Sequence, residues 1–154
     1  MAWSRFIISV ALVVTFFPCI TLANERLTRA KEIVHKAKQE CNDFENGKFH
    51  STVRAITLHD ITGDGQPEEF VDASQFSCST AMTLWGGSGG TYLWIIVDDK
   101  EYEFLAHQWR VIDIDGQSVI LLAVHSYECG DDIGPCYRAL AWQDGFRTTR
   151  SGHD

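Results

Sequence analysis

The stretch Asp60-Ile61-Thr62-Gly63-Asp64-Gly65-Gln66-Pro67-Glu68 carries oxygen side chains at its first, third, fifth and ninth positions and glycine at its sixth. Short loops of this kind wrap hard oxygen donors around Ca²⁺, and the glycine permits the sharp turn. The same residues also suit a plain polar hairpin turn, because Asp and Gly both favour turns. An EF-hand is excluded: its twelfth position needs a bidentate Glu, and Val71 stands there. Asp113-Ile114-Asp115-Gly116 is a second acidic glycine turn, read as a hairpin between two apolar runs. His125 and Glu128 could act as a metal or acid–base pair, or as hydrogen-bonding partners at a strand end. The other histidines show no H-E-x-x-H spacing, and no G-x-S-x-G segment supplies a nucleophile. The expectation is a protein that is not an enzyme.

The spacing from Asp60 to Glu68 resembles the D-x-N-G-D-G-x-x-D loop of the calcium-binding FG-GAP and VCBS-type repeats, which also lies between strands. The resemblance implies Ca²⁺ as cofactor, with Asp60, Thr62, Asp64 and Glu68 as side-chain ligands and Gln66 as a backbone carbonyl donor. The chain departs from that pattern at Thr62, which replaces an amide oxygen, and at Glu68, which replaces Asp. It also has one copy where those folds use several. More broadly, a helix, this loop, a strand, a cysteine, a glycine-rich loop and a cysteine-bracketed loop follow one another. That order looks like small exported bacterial proteins of uncharacterised function, which implies export and disulfides but no activity.

Elements must position these residues. Leu27, Ala30, Ile33, Val34, Ala37, Cys41 and Phe44 fall three or four apart, an apolar stripe at the helical period that Asn46-Gly47 should end. After Gly47 the period shortens. Val53–Leu58, Glu69–Phe76, Tyr92–Val97, Glu101–Ile112, Ser118–Val124, Tyr137–Gln143 and Phe146–Thr149 read as strands, the fourth long enough for one bent strand or two. Asp98-Asp99, Asp115-Gly116 and Asp144-Gly145 supply turn chemistry between them. Tyr92–Val97 and Val119–Val124 are apolar in both phases and predict central strands. Gly86-Gly87-Ser88-Gly89-Gly90 reads as a mobile loop. The expected fold is α+β: one N-terminal amphipathic helix packed on an antiparallel meander of six or seven strands, with two disulfides. Trp94, Trp109 and Trp142 lie within predicted strands and read as core, leaving Trp85 as the tryptophan to meet a ligand such as a sugar.

Residues 1–23 set the compartment. Arg5, an apolar run from Phe6 to Leu22 and the small exit residue Ala23 make a secretory signal peptide, with 24–154 as one secreted domain. Removing the signal takes away only Arg5, so 12 basic residues remain against 21 acidic, a charge of −9. Nucleic acid and anionic membrane surfaces are thereby disfavoured as partners, and no stable membrane insertion is expected after cleavage. In a periplasmic or extracellular setting Cys41, Cys78, Cys129 and Cys136 allow three pairings of two disulfides. The short loop favours Cys129–Cys136, which leaves Cys41–Cys78. The expected function is a non-enzymatic, calcium-stabilised binding protein of the cell envelope, for a protein or glycan ligand. The alternative is an inhibitor of a cationic, lysozyme-like cell-wall hydrolase, with Asp131 and Asp132 at the tip of the bridged 129–136 loop meeting a basic cleft.

Overall fold

The computed structural model describes residues 20–130 and 136–148, with side chains described from residue 29 onward. Helix α1 (Ile20–Asp43) begins upstream of the boundary expected after Ala23; residues 1–19 of the expected signal lie outside the described residues. Its apolar stripe does what the spacing requires: Ala30, Ala37 and Cys41 are buried, and Ile33 and Val34 pack beside them. Phe44 leaves the stripe and is exposed, because the helix has ended. Glu45 and Asn46 take positive φ, and the Gly47 amide donates to the Cys41 carbonyl at 3.0 Å, closing the C-terminus. Position 47 needs glycine for space rather than for its φ. A Cβ there would run into the Cys41 carbonyl and the Cys78 sulfur.

Eleven strands follow among the described residues: β1 (Phe49–Ser51), β2 (Ile56–His59), β3 (Glu68–Asp72), β4 (Phe76–Cys78), β5 (Gly86–Gly87), β6 (Gly90–Val97), β7 (Lys100–Ala106), β8 (Gln108–Ile114), β9 (Gln117–Val124), β10 (Cys136–Trp142) and β11 (Phe146–Thr148). The single meander of six or seven strands is therefore a wrong expectation. The chain is predominantly β and forms three sheets: a β1-β4 ribbon, a first sheet in the order β2-β3-β6-β5 with β7 also on β6, and a second in the order β11-β10-β9-β8. All pairings are antiparallel. The reason lies at Ala106–His107. The run expected as one bent strand or two is two strands divided there, and β7 stays on the first sheet while β8 opens the second.

The layers follow from alternation along β3 and β6. Phe70, Leu93, Ile95 and Val97 face the second sheet and meet Ile120, Leu122, Val124 and Leu140. Val71 and Ile96 point the other way, onto Ala30 of α1. The first sheet is thus covered on both faces, which is why β6 has no polar phase. Asp98, Asp99, Asp115 and Asp144 all have positive φ in the hairpin turns, as their chemistry predicts. The glycine-rich segment is a correction: Gly86 and Gly87 pair with Thr91 and Gly90 in a tight hairpin. Both expected disulfides form, Cys41–Cys78 and Cys129–Cys136.

Candidate functional site

The Asp60–Glu68 segment joins β2 to β3 and is folded by its own carboxylates. Asp60 accepts from the Gly63 amide at 2.8 Å through Oδ1 and from the Gly65 amide at 2.9 Å through Oδ2. Asp64 Oδ1 accepts from the Gln66 amide at 2.7 Å. Gly63 and Gly65 have φ of 79° and 82°, where an L side chain is strained, so the sixth-position glycine is needed for its backbone. Glu68 sits beneath the loop at 1% exposure. Its Oε2 accepts from the Ile61 amide at 2.8 Å and the Thr62 amide at 3.4 Å, and the Thr62 hydroxyl donates to Oε1 at 3.4 Å. Burial pushes the Glu68 carboxyl above its ordinary pKa. The two amides oppose that shift, and the charges of Asp64 and Asp60 add to it.

This places four of the five expected calcium ligands, Asp60, Thr62, Asp64 and Glu68, in one electrostatic and hydrogen-bonded unit. Gln66 contributes its amide to Asp64 within the same loop. Among the described residues no group of three or more His, Cys, Asp or Glu side chains is gathered as a ready metal cage. The donors are all oxygen, and each carboxylate keeps lone pairs beyond its amide bonds, so the residue types suit a hard cation.

The other expected sites separate. His125 Nδ1 accepts from the Tyr127 amide at 3.2 Å, capping a short 3-10 helix at Ser126–Cys129. Glu128 instead pairs with Arg138 at 2.9 Å, and the same guanidinium donates to the Glu128 carbonyl. These two contacts and the Cys129–Cys136 bridge hold the base of the 129–136 loop, while Asp131 and Asp132 lie outside the described residues. A cavity of about 350 Å³ opens beside that base, lined in part by Glu103, Leu105, Leu122 and Arg138. Trp85 is not a free platform. It is buried, edge-on to Phe49 and Phe76, and its indole N–H donates to Glu40 at 2.9 Å. Trp94 and Trp109 likewise donate to Glu103 and Asp72.

Two features escape the sequence reading. Glu69 is fully buried and accepts from the Ala30 amide at 3.2 Å, tying α1 to β3. It stands between Glu68 and Phe70 at the start of an expected strand, and nothing in that context marks it as buried. The second is the outer face of the β8–β11 sheet, where Ile114 and Tyr137 are half or more exposed. The double-phase apolar pattern of Val119–Val124 was its signal, read instead as burial on both faces. No family model, characterised protein or solved structure matches the chain.

Proposed function

We propose that this is an exported, non-enzymatic binding protein of the cell envelope whose fold Ca²⁺ stabilises at the Asp60–Glu68 loop. The observation that carries the calcium reading is Glu68: a buried carboxyl whose pKa is raised further by Asp60 and Asp64. A divalent cation would relieve that repulsion and draw the ligands together. The binding role is supported by how the charged groups are used. Glu40 and Glu103 hold indoles, Asp72 holds Trp109 and the Ser74 amide, and Glu128 holds Arg138. These carboxylates build the scaffold.

Thermal melting in millimolar calcium against chelator tests the site. A ligand present at ~100 times its Kd adds about 2.7 kcal/mol, so the melting temperature should rise by several degrees, and Asp64→Ala should abolish the rise. An unchanged melting temperature in the parent protein returns the loop to a hairpin turn.

A second reading rests on the clamped base of the 129–136 loop: inhibition of a cationic cell-wall hydrolase. The Cys129–Cys136 bridge and the Glu128–Arg138 contacts fix both ends, which reduces the entropy lost on docking. Addition to a lysozyme turbidity assay should slow lysis at low salt, less so at physiological salt, and hardly at all after Asp131→Ala/Asp132→Ala. Undiminished lysis at micromolar protein removes this reading.

A further inference from the structure

We infer that the outer face of the β8–β11 sheet is a docking trough for an acidic amphipathic helix of a partner protein. The inference rests on the binding reading above and names the partner's class.

Register fixes which side chains point outward. Arg110 lies beside Leu121 and Ala139, Ile112 beside Val119 and Ala141, and Gln108 beside Ala123 and Tyr137. The opposite phase, with Trp109, Ile120, Leu122 and Leu140, fills the core, and none of the outward set joins it. The first sheet has α1 on its outer face, whereas among the described residues no element's core cluster includes this one. Ile112, Leu121, Ala123, Ala139 and Ala141 are partly exposed on this face, with Val119 buried between them and Ile114 and Tyr137 exposed at its ends. A contiguous apolar face of this kind marks an interaction surface.

Charge and shape then choose the occupant. The chain has a net charge of −8, yet the charged residues in the outward phase of these strands are Arg110 and Arg147, and no Asp or Glu is among them. They stand on the two edge strands, β8 and β11. Three strand spacings separate these edges, about 14 Å. A helix with its side chains is about 10–12 Å across, so it fits along the strands with one arginine on each flank. The floor between them is low, because Ala123, Ala139 and Ala141 carry only a methyl group each. Near one end a depression of about 240 Å³ lies over Leu121 and Ala123, walled by Arg110 and Tyr137, and takes one large apolar side chain. Carboxylates flanking the apolar stripe of the incoming helix would meet both arginines. A second copy is a poor occupant: face to face it sets arginine against arginine, and residues 24–48 carry six basic and five acidic residues rather than an acidic helix.

The probe is a side-chain-stapled amphipathic helix of about five turns with a leucine stripe and glutamates on both flanks, and its counterpart with lysines on the flanks. Binding to the oxidised protein is followed by calorimetry and by amide chemical-shift mapping, in calcium and in chelator. The glutamate peptide should bind at micromolar concentration, at least tenfold tighter than the lysine peptide, with shifts on β8–β11. Leu121→Glu should abolish binding while the circular dichroism spectrum stays unchanged, and Arg110→Glu/Arg147→Glu should reverse the peptide preference. Should Leu121→Glu unfold the protein, the double arginine variant decides alone. Equal affinity for both peptides, no binding at millimolar concentration, or a dimer in ultracentrifugation that Leu121→Glu dissociates would overturn the proposal. Adsorption to anionic vesicles in place of the peptide would also overturn it. Shifts on the α1 layer would overturn this face while leaving the binding reading in place.

Discussion

At the scale of single residues, His59 and Glu68 give the protein two opposed responses to acid. The His59 ring stands edge-on to Phe70 at 5.0 Å and to Trp109 at 5.7 Å, and burial lowers its pKa. The folded chain therefore resists protonating it. That contribution to stability is fully present above the ordinary histidine value of 6.5 and is lost as pH falls from there toward the folded value. Glu68 runs the other way. Its raised pKa favours the neutral acid in the folded state, so its contribution is present below 4.5 and is lost as pH rises through the folded value. Urea unfolding in chelator at steps from about pH 7.5 to about pH 4.5 should separate them. His59→Phe should remove the acid-side loss, and Glu68→Gln should remove the opposing slope. An unchanged profile in both variants would contradict the two assignments. The chemistry of these residues was only half legible in the sequence. Asp60, Asp64 and Gly65 announced the loop, but the burial of Glu68 depends on packing, and nothing near His59 in the sequence marks Trp109 as its neighbour.

At the scale of elements, the two disulfides do different work. Cys41–Cys78 spans 37 residues and joins the end of α1 to β4 inside a buried cluster, whereas Cys129–Cys136 spans seven and closes one loop. On the chain-entropy account these are worth about 4 and about 2.5 kcal/mol. Cys41→Ser/Cys78→Ser should accordingly lower the urea midpoint more than Cys129→Ser/Cys136→Ser does, and the reverse order would show that the loop bridge carries the fold. Strands were readable where alternation and turn chemistry coincided: Tyr92–Val97 became most of β6, and Ser118–Val124 most of β9. Glu69–Phe76 instead holds β3, a short 3-10 helix at Ala73–Gln75 and the start of β4, because Asp72 caps the break by accepting from the Ser74 amide. Alternation reports which side chains share a face, and says nothing of which sheet a strand will join. That gap is why one meander was expected where three sheets form, and why the outward apolar phase of β9 went unseen.

At the scale of the whole molecule, the first sheet is the shared wall of two cores. Ile95 and Ile96 are adjacent, fully buried and committed to opposite layers, so neither layer can loosen without exposing the wall. Unfolding should be a single cooperative transition. The amide resonances of α1 and those of β8–β11 should be lost with coincident urea midpoints. Separated midpoints would mean that the layers fold independently. The bridges carry a further consequence on the proposed exported route. Each joins a cysteine to the next one along the chain after residue 23. A polypeptide threaded through a translocon from its N-terminus delivers Cys41 and Cys78 before either later thiol arrives. Vectorial oxidation in order of arrival already gives the native connectivity, so a thiol oxidase suffices and no isomerase is needed to undo wrong bridges.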